Sequence, residues 1–272
     1  MSGLVFVTGP VHLDEDGDDL RSECAAVLTE AVGEPVEIVA ERSYGALLER
    51  ILAGRFAVAW APPALFVRAQ EAGAFGEVLR AERFTGGRYQ GAVFVREGSP
   101  IATAADLAGK SIAWVDRDSC GGYLFPRLAL RTAGLDPDAC FRSESFLESH
   151  SRVVRAVAAG SVDAGATHVQ LADADAPEKG IAVAGWTAFA EARSMRAVLV
   201  SPSIPSDAVC LSASVPAGLQ EVLGERLASF HTRPRGARLL RALLNADRLA
   251  LGSASDYAPV REALAAEGVV RA

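Results

Sequence analysis

The chain has 272 residues, half of them hydrophobic and 22% charged, enough for a sizeable core, which excludes a disordered polypeptide. Acidic residues outnumber basic ones 34 to 27, giving a formal charge of −7. This excludes a general nucleic-acid binder, which needs a basic face, but not a binder of a small anion held by a few local donors.

The opening, Leu4-Val5-Phe6-Val7-Thr8-Gly9-Pro10, reads as a strand running into a turn. It lacks the basic segment and apolar core of a secretory signal, and no apolar run approaches the roughly 20 residues that span a bilayer. With Met1 as the native start, this places the chain in the cytoplasm. Residues 17–32 carry Leu20, Cys24, Val27, Leu28 and Val32 at helical spacing. A strand over 35–39 follows. Ser43 then caps a helix from Tyr44 to Leu52, with Gly54 just past its end. Phe56–Trp60 is a buried strand stopped by Pro62-Pro63, with a helix over 64–72. This alternation predicts an α/β fold with mainly parallel pairing.

A second block starts near residue 89 with a strand from Gln90 to Arg96. A capped short helix over Thr103–Lys110 and a strand over Ser111–Val115 follow. Asp118-Ser119-Cys120-Gly121-Gly122-Tyr123 reads as a loop opening a helix that runs to about Gly134. Further on come an extended segment at Phe141–Phe146, a helix at Ser151–Ala159, a strand at Val162–Ala166 and a connection over 171–180. Met195–Val200 is strand-like and leads into a turn over Ser201–Asp207, then a strand over Ala208–Ser212. Helices close the chain at about 216–230, 233–244 and 257–267. No linker separates two domains, so two lobes would be intertwined through crossover strands, with candidates near 90–96 and 207–212.

Nucleotide, hydrolase and metalloprotease motifs are absent. The four histidines, His12, His150, His168 and His231, are not spaced as ligand pairs, so no metal and no cofactor are expected. The four cysteines, Cys24, Cys120, Cys140 and Cys210, form neither a zinc pattern nor a disulfide framework, although two disulfides remain open. The strongest local feature is the 118–123 loop. Amides at a helix start are unsatisfied and favour anions, Ser119 adds a hydroxyl, and glycines admit close approach. The same residues also suit an ordinary capped turn.

Five stretches, in order, resemble phosphate/phosphite/phosphonate ABC-transporter substrate-binding proteins. They are Ser43-Tyr44 with Phe56–Trp60; Tyr89 with Val93–Arg96 and Ser99-Pro100-Ile101; Asp106–Lys110 with Asp118–Pro126; Ser149-His150 with Arg155–Gly165; and Ile204–Asp207 with Asp256-Tyr257. The resemblance implies a type II periplasmic-binding-protein fold: two α/β lobes joined by two crossover strands, with a ligand cleft between them. Lobe one would comprise 1–90 and 206–272, and lobe two 91–205. It further implies that Ser119 and the amides of Cys120 and Gly121 hold phosphoryl oxygens. His150 would donate from the same lobe, Tyr44 and Tyr89 would wall the cleft, and Asp207 would stand near the ligand's far end. The protein would be a monomer outside the cytoplasm that binds a small anionic ligand and serves an ABC permease or a sensor.

Two departures matter. Ser119-Cys120-Gly121-Gly122 stands where the family has Ser-Thr-Ser-Gly, so two hydroxyl donors are missing and a weak thiol donor replaces one. Thr167-His168-Val169-Gln170 holds no carboxylate where binders of aminoalkyl phosphonates place one, so a cationic ligand tail is disfavoured. The rival reading makes Cys120, activated by a helix start and by His150, the nucleophile of a cytosolic enzyme on the same fold.

Overall fold

The computed structural model describes residues 3–9, 15–83, 88–173, 176–187, 189 and 194–270, without the side chains of 15–18 and 177. Pro10 and His12 lie outside the described residues. The elements in chain order are β1 (Leu4–Thr8), α1 (Glu15–Val32), β2 (Val36–Ala40), α2 (Tyr44–Leu52), β3 (Val58–Ala61), α3 (Pro63–Glu71), β4 (Phe75–Glu82), β5 (Arg88–Arg96), β6 (Ser111–Trp114), α4 (Phe125–Thr132), β7 (Ser143–Phe146), α5 (His150–Ala158), β8 (Ala164–Leu171), β9 (Ile181–Ala184), β10 (Met195–Pro205), β11 (Ala208–Ser212), α6 (Ala217–Ala228), α7 (Pro234–Leu244), β12 (Arg248–Leu251) and α8 (Ala258–Ala266).

They form two compact units, Met1–Gly87 with Ser206–Ala258, and Arg88–Pro205 with Pro259–Ala272. The first is built on a sheet of order β12-β4-β11-β3-β1-β2. Its β1, β2 and β3 are parallel, and β11 and β12 are antiparallel additions. Ser43 caps α2 by accepting from the Ala46 N–H at 3.1 Å, and Leu47, Leu48 and Ile51 turn inward. The second sheet has the order β10-β5-β8-β6-β7, with β9 on β8. Its β6, β7 and β8 are parallel. Phe94, Val153, Val154, Val157 and Trp186 fill the core on one face.

The structure departs from the sequence reading in several places. The strands β4, β9 and β12 were not expected. The expected turn over Ser201–Asp207 is largely strand, because β10 runs on to Pro205. Its prolines are accommodated because it is an edge strand with a register shift between Val200 and Ser203. Strand β5 runs antiparallel to both β10 and β8, whereas β11 lies inside the first sheet between β3 and β4. Strand β8 continues five residues past the expected end at Ala166, carrying Thr167, His168 and Gln170.

Pro259–Ala272 groups with the second unit. Its anchor is Arg127 of α4, which is 2% exposed. The Arg127 guanidinium bonds Glu267 at 3.1 Å, Glu144 at 3.3 Å and Asp138, and lies 5.0 Å from the Tyr123 ring centre. Arg131 pairs with the same Glu267, and the Trp114 indole donates to Glu144 at 2.6 Å.

Candidate functional site

In the second unit the expected residues gather at the carboxyl ends of the parallel strands, the usual ligand edge of an open α/β sheet. After β6 the chain turns. The Ser119 N–H donates to Asp116 O at 3.0 Å and the Asp118 N–H to the Asp116 carboxylate at 2.8 Å. A single wide turn, Cys120–Leu124, then leads into α4. Its bonds run from Leu124 N to Ser119 O and from Phe125 N to Cys120 O, so the helical ladder uses none of the amides 120–123. One of them, Gly122 N–H, is taken by Ser119 Oγ at 3.1 Å. Ser119 thus caps its own turn, and that bond does not spend its hydroxyl proton.

The two glycines differ in role. A Cβ on Gly122 would stand 2.3 Å from Val115 Cγ2, so Gly122 serves packing. Gly122→Ala is expected to cost roughly 1–3 kcal/mol of stability through overpacking, read from denaturant midpoints, with no direct loss of a ligand contact. A Cβ on Gly121 would lie 3.1 Å from the Tyr89 ring and 3.2 Å from His168 Cβ. Gly121 therefore adjoins two ring-bearing side chains. Cys120 is 3% exposed, an unfavourable position for a nucleophile.

His150 is the first residue of α5, whose N-cap Ser149 accepts from the Arg152 N–H at 3.3 Å. Its Nδ1 lies 2.8 Å from the hydroxyl of buried Thr167. In the tautomer where Thr167 donates to Nδ1, Nε2 carries the proton and becomes the donor an oxyanion requires. Burial, and secondarily the nearby His168, hold the His150 pKa well below the ordinary 6.5. The stability consequence has a definite sign. Above that ordinary value both folded and unfolded imidazoles are neutral. Below it only the unfolded one takes a proton, so stability is lost as pH falls from 6.5 toward the folded value. Melting temperatures measured from neutral pH down to mild acid should therefore fall more steeply for the wild type than for His150→Asn; parallel curves would refute this.

The sequence reading passed over His168 and Thr167 as site residues. The His168 ring meets that of His150 edge to face, with centroids 4.7 Å apart. Its strand position pairs with Gly91 of β5, and a Cβ on Gly91 would stand 2.8 Å from Gly121 O. Tyr89, two residues earlier in the same strand, is part-buried.

In the first unit, Tyr44 is the part-buried first residue of α2, at the carboxyl end of β2. Asp207 precedes β11 beside the end of β3. Its carboxylate lies 3.7 Å from the Arg83 guanidinium and accepts a hydrogen bond from Trp60. Burial pushes its pKa up while Arg83 opposes. Arg83 also donates to Ser206 Oγ at 3.0 Å and Asn245 O at 2.6 Å, so Asp207 belongs to a built polar network. Among the described residues, no group of three His, Cys, Asp or Glu side chains could hold a metal ion. No described helix is long and apolar enough to cross a membrane.

The family model described as periplasmic phosphonate substrate-binding proteins of ABC transporters matches residues 9–257. The phosphate-import protein PhnD of Mycolicibacterium smegmatis is 27% identical over 184 residues, 61% of this chain and 56% of that protein. The match thus spans little more than half of that relative's length. Among solved structures, a binding-protein component of an ABC phosphonate transporter from Pseudomonas aeruginosa matches with a TM-score of 0.78 and 16% identity, over 96% of this chain and 86% of that one. PhnD1 of Prochlorococcus marinus, in complex with methylphosphonate, matches with a TM-score of 0.77 and 16% identity, over 98% of both chains. The shared architecture is the type II periplasmic-binding fold.

Proposed function

Because this chain belongs to the family of periplasmic phosphonate-binding proteins of ABC transporters, we propose that it captures a small phosphorus oxyanion, a phosphonate, phosphite or phosphate, for an ABC permease. The observation that carries this reading is the gathering of Ser119, the first-turn amides of Cys120 and Gly121, His150 and Tyr89 at one edge of the second sheet. Every one of these groups is a neutral donor or a wall. An anion is therefore recognised by oriented dipoles rather than by formal positive charge. The relative from Mycolicibacterium smegmatis, described as importing phosphate, and the relative solved with methylphosphonate support the ligand class.

On this reading the protein acts as a monomer outside the cytoplasm, and Tyr44 and Asp207, both in the first unit (Met1–Gly87 with Ser206–Ala258), are ligand-contacting residues. Asp207 would do so from within its network with Arg83 and Trp60. The enzymatic reading of Cys120 and His150 finds no support in the relatives, which are binding proteins.

Calorimetric titration with phosphate, phosphite, methylphosphonate and 2-aminoethylphosphonate tests the proposal. Methylphosphonate or an inorganic oxyanion is expected to bind tighter than 2-aminoethylphosphonate, because Gln170 offers an ammonium no charge. Tightest binding of the aminoalkyl ligand would refute the specificity, and binding of none of the four would refute the function.

A further inference from the structure

We infer that Thr167 is a positioning residue for oxyanion capture: its hydroxyl fixes the tautomer of His150, so that the imidazole offers the ligand a donor at Nε2 and no acceptor. This rests on the reading of the second unit as an oxyanion site. Thr167 lies in β8, is fully buried, and its Oγ1 stands 2.8 Å from His150 Nδ1. Among the described residues this is the one hydrogen bond of the Thr167 side chain and the one hydrogen bond of the His150 ring.

Two arrangements could make that bond. If Nδ1 carried a proton, it would donate to Oγ1, and the hydroxyl's own proton would be left buried without an acceptor. If Thr167 donates instead, the hydroxyl proton and the Nδ1 lone pair satisfy each other, and the ring proton sits on Nε2. A buried donor left unpaired costs more than an ordinary hydrogen bond gains, so the second arrangement prevails. A doubly protonated ring meets the same objection, because its Nδ1–H would also claim Oγ1 as acceptor. A separate feature holds the hydroxyl in place. Gly185 follows β9, and its N–H donates to His168 O at 3.0 Å. A Cβ on Gly185 would stand 2.2 Å from Thr167 Oγ1, so the hydroxyl occupies the notch that glycine leaves. For the ligand the consequence is selective. An imidazole held this way gives a hydrogen bond to a phosphoryl oxygen and accepts none. An oxygen that still carries its own proton is a poor partner for it.

The experiment has two readouts. Nitrogen NMR of the ligand-free full chain at neutral pH reads the His150 tautomer, with His150→Asn identifying its signals. Calorimetry reads the affinity for methylphosphonate, phosphite and phosphate in wild type, Thr167→Val and Thr167→Ser. The wild-type ring is expected to carry its proton on Nε2 and none on Nδ1; a proton on Nδ1 overturns the inference. Thr167→Val keeps the shape and removes the hydroxyl, and should bind the tightest of the three ligands about tenfold more weakly than wild type. Thr167→Ser keeps a hydroxyl and should bind within about threefold of wild type. Wild-type affinity in Thr167→Val overturns the inference, and so does an equal loss in the valine and serine variants. If Thr167→Val does not fold, Gly185→Ala takes its place, because its Cβ displaces the hydroxyl: weaker binding supports the inference, and wild-type binding overturns it. Failure of the wild type to bind any of the three ligands would instead overturn the oxyanion reading, while the ligand-free tautomer still decides whether Thr167 holds His150 as stated.

Discussion

Gly121→Val is expected to lower affinity for the best oxyanion ligand at least about a hundredfold, some 2.7 kcal/mol, while the protein still folds. Even a bare Cβ at this position meets the Tyr89 ring at 3.1 Å and His168 Cβ and Cα at 3.2 and 3.3 Å. The two further methyl groups of valine must push Tyr89 or His168 aside or fill the space in front of the turn's amides. Overpacking of this kind costs roughly 1–3 kcal/mol of stability, well within what a two-unit protein tolerates. Gly98→Val is the control, because no atom lies within 4 Å of a Cβ there and the site is remote in sequence. Calorimetry on both variants, with melting curves to verify folding, checks the result. Unchanged affinity in Gly121→Val would remove the turn from the binding surface.

Arg127→Met is expected to destabilise the second unit by roughly 3–5 kcal/mol, because it removes the cation from a buried, multiply bonded cluster and leaves carboxylates behind. The partners do not count equally. Glu267 is 8% exposed and Glu144 32%, whereas Asp138 is 69% exposed and screened by water. Glu267→Gln should therefore cost several times more than Asp138→Asn. A double-mutant cycle on Arg127 and Glu267, read from urea denaturation, should give a coupling above about 1 kcal/mol. Additive losses would mean that the two ends are held by packing alone.

The element pattern was readable because it is local. Ser43 before Tyr44 and Ser149 before His150 are caps that any helix start would use, and alternating strands and helices imply parallel sheets. The motifs single out Ser119, Gly121 and His150, and in the structure these follow strands β6 and β7 of the second sheet. The closeness of His168 to the Cys120–Leu124 turn is not legible in the sequence, because its position depends on β8 running past Ala166 and on the register that sets it opposite Gly91. Neither is encoded in neighbouring residues. The prolines at 202 and 205 signalled a turn, yet an edge strand with a register shift holds them. The different duties of Gly121 and Gly122 likewise depend on which side chains cross the fold to meet them.

The bond from Arg127 to Glu267 joins residues 140 positions apart. During synthesis most of the second unit leaves the ribosome long before Glu267 does. Until then Arg127 must remain in water or accept weaker partners, so α4 cannot settle into its final packing. Loop closure over such a distance is slow relative to helix formation. The second unit should therefore reach its native state only after residue 267 has emerged, by which time all of the first unit has been made as well. Two bodies that look independently foldable are thus expected to mature in the same late step. A ribosome-bound chain halted at about residue 205 should expose the second unit to protease in a way the finished protein does not.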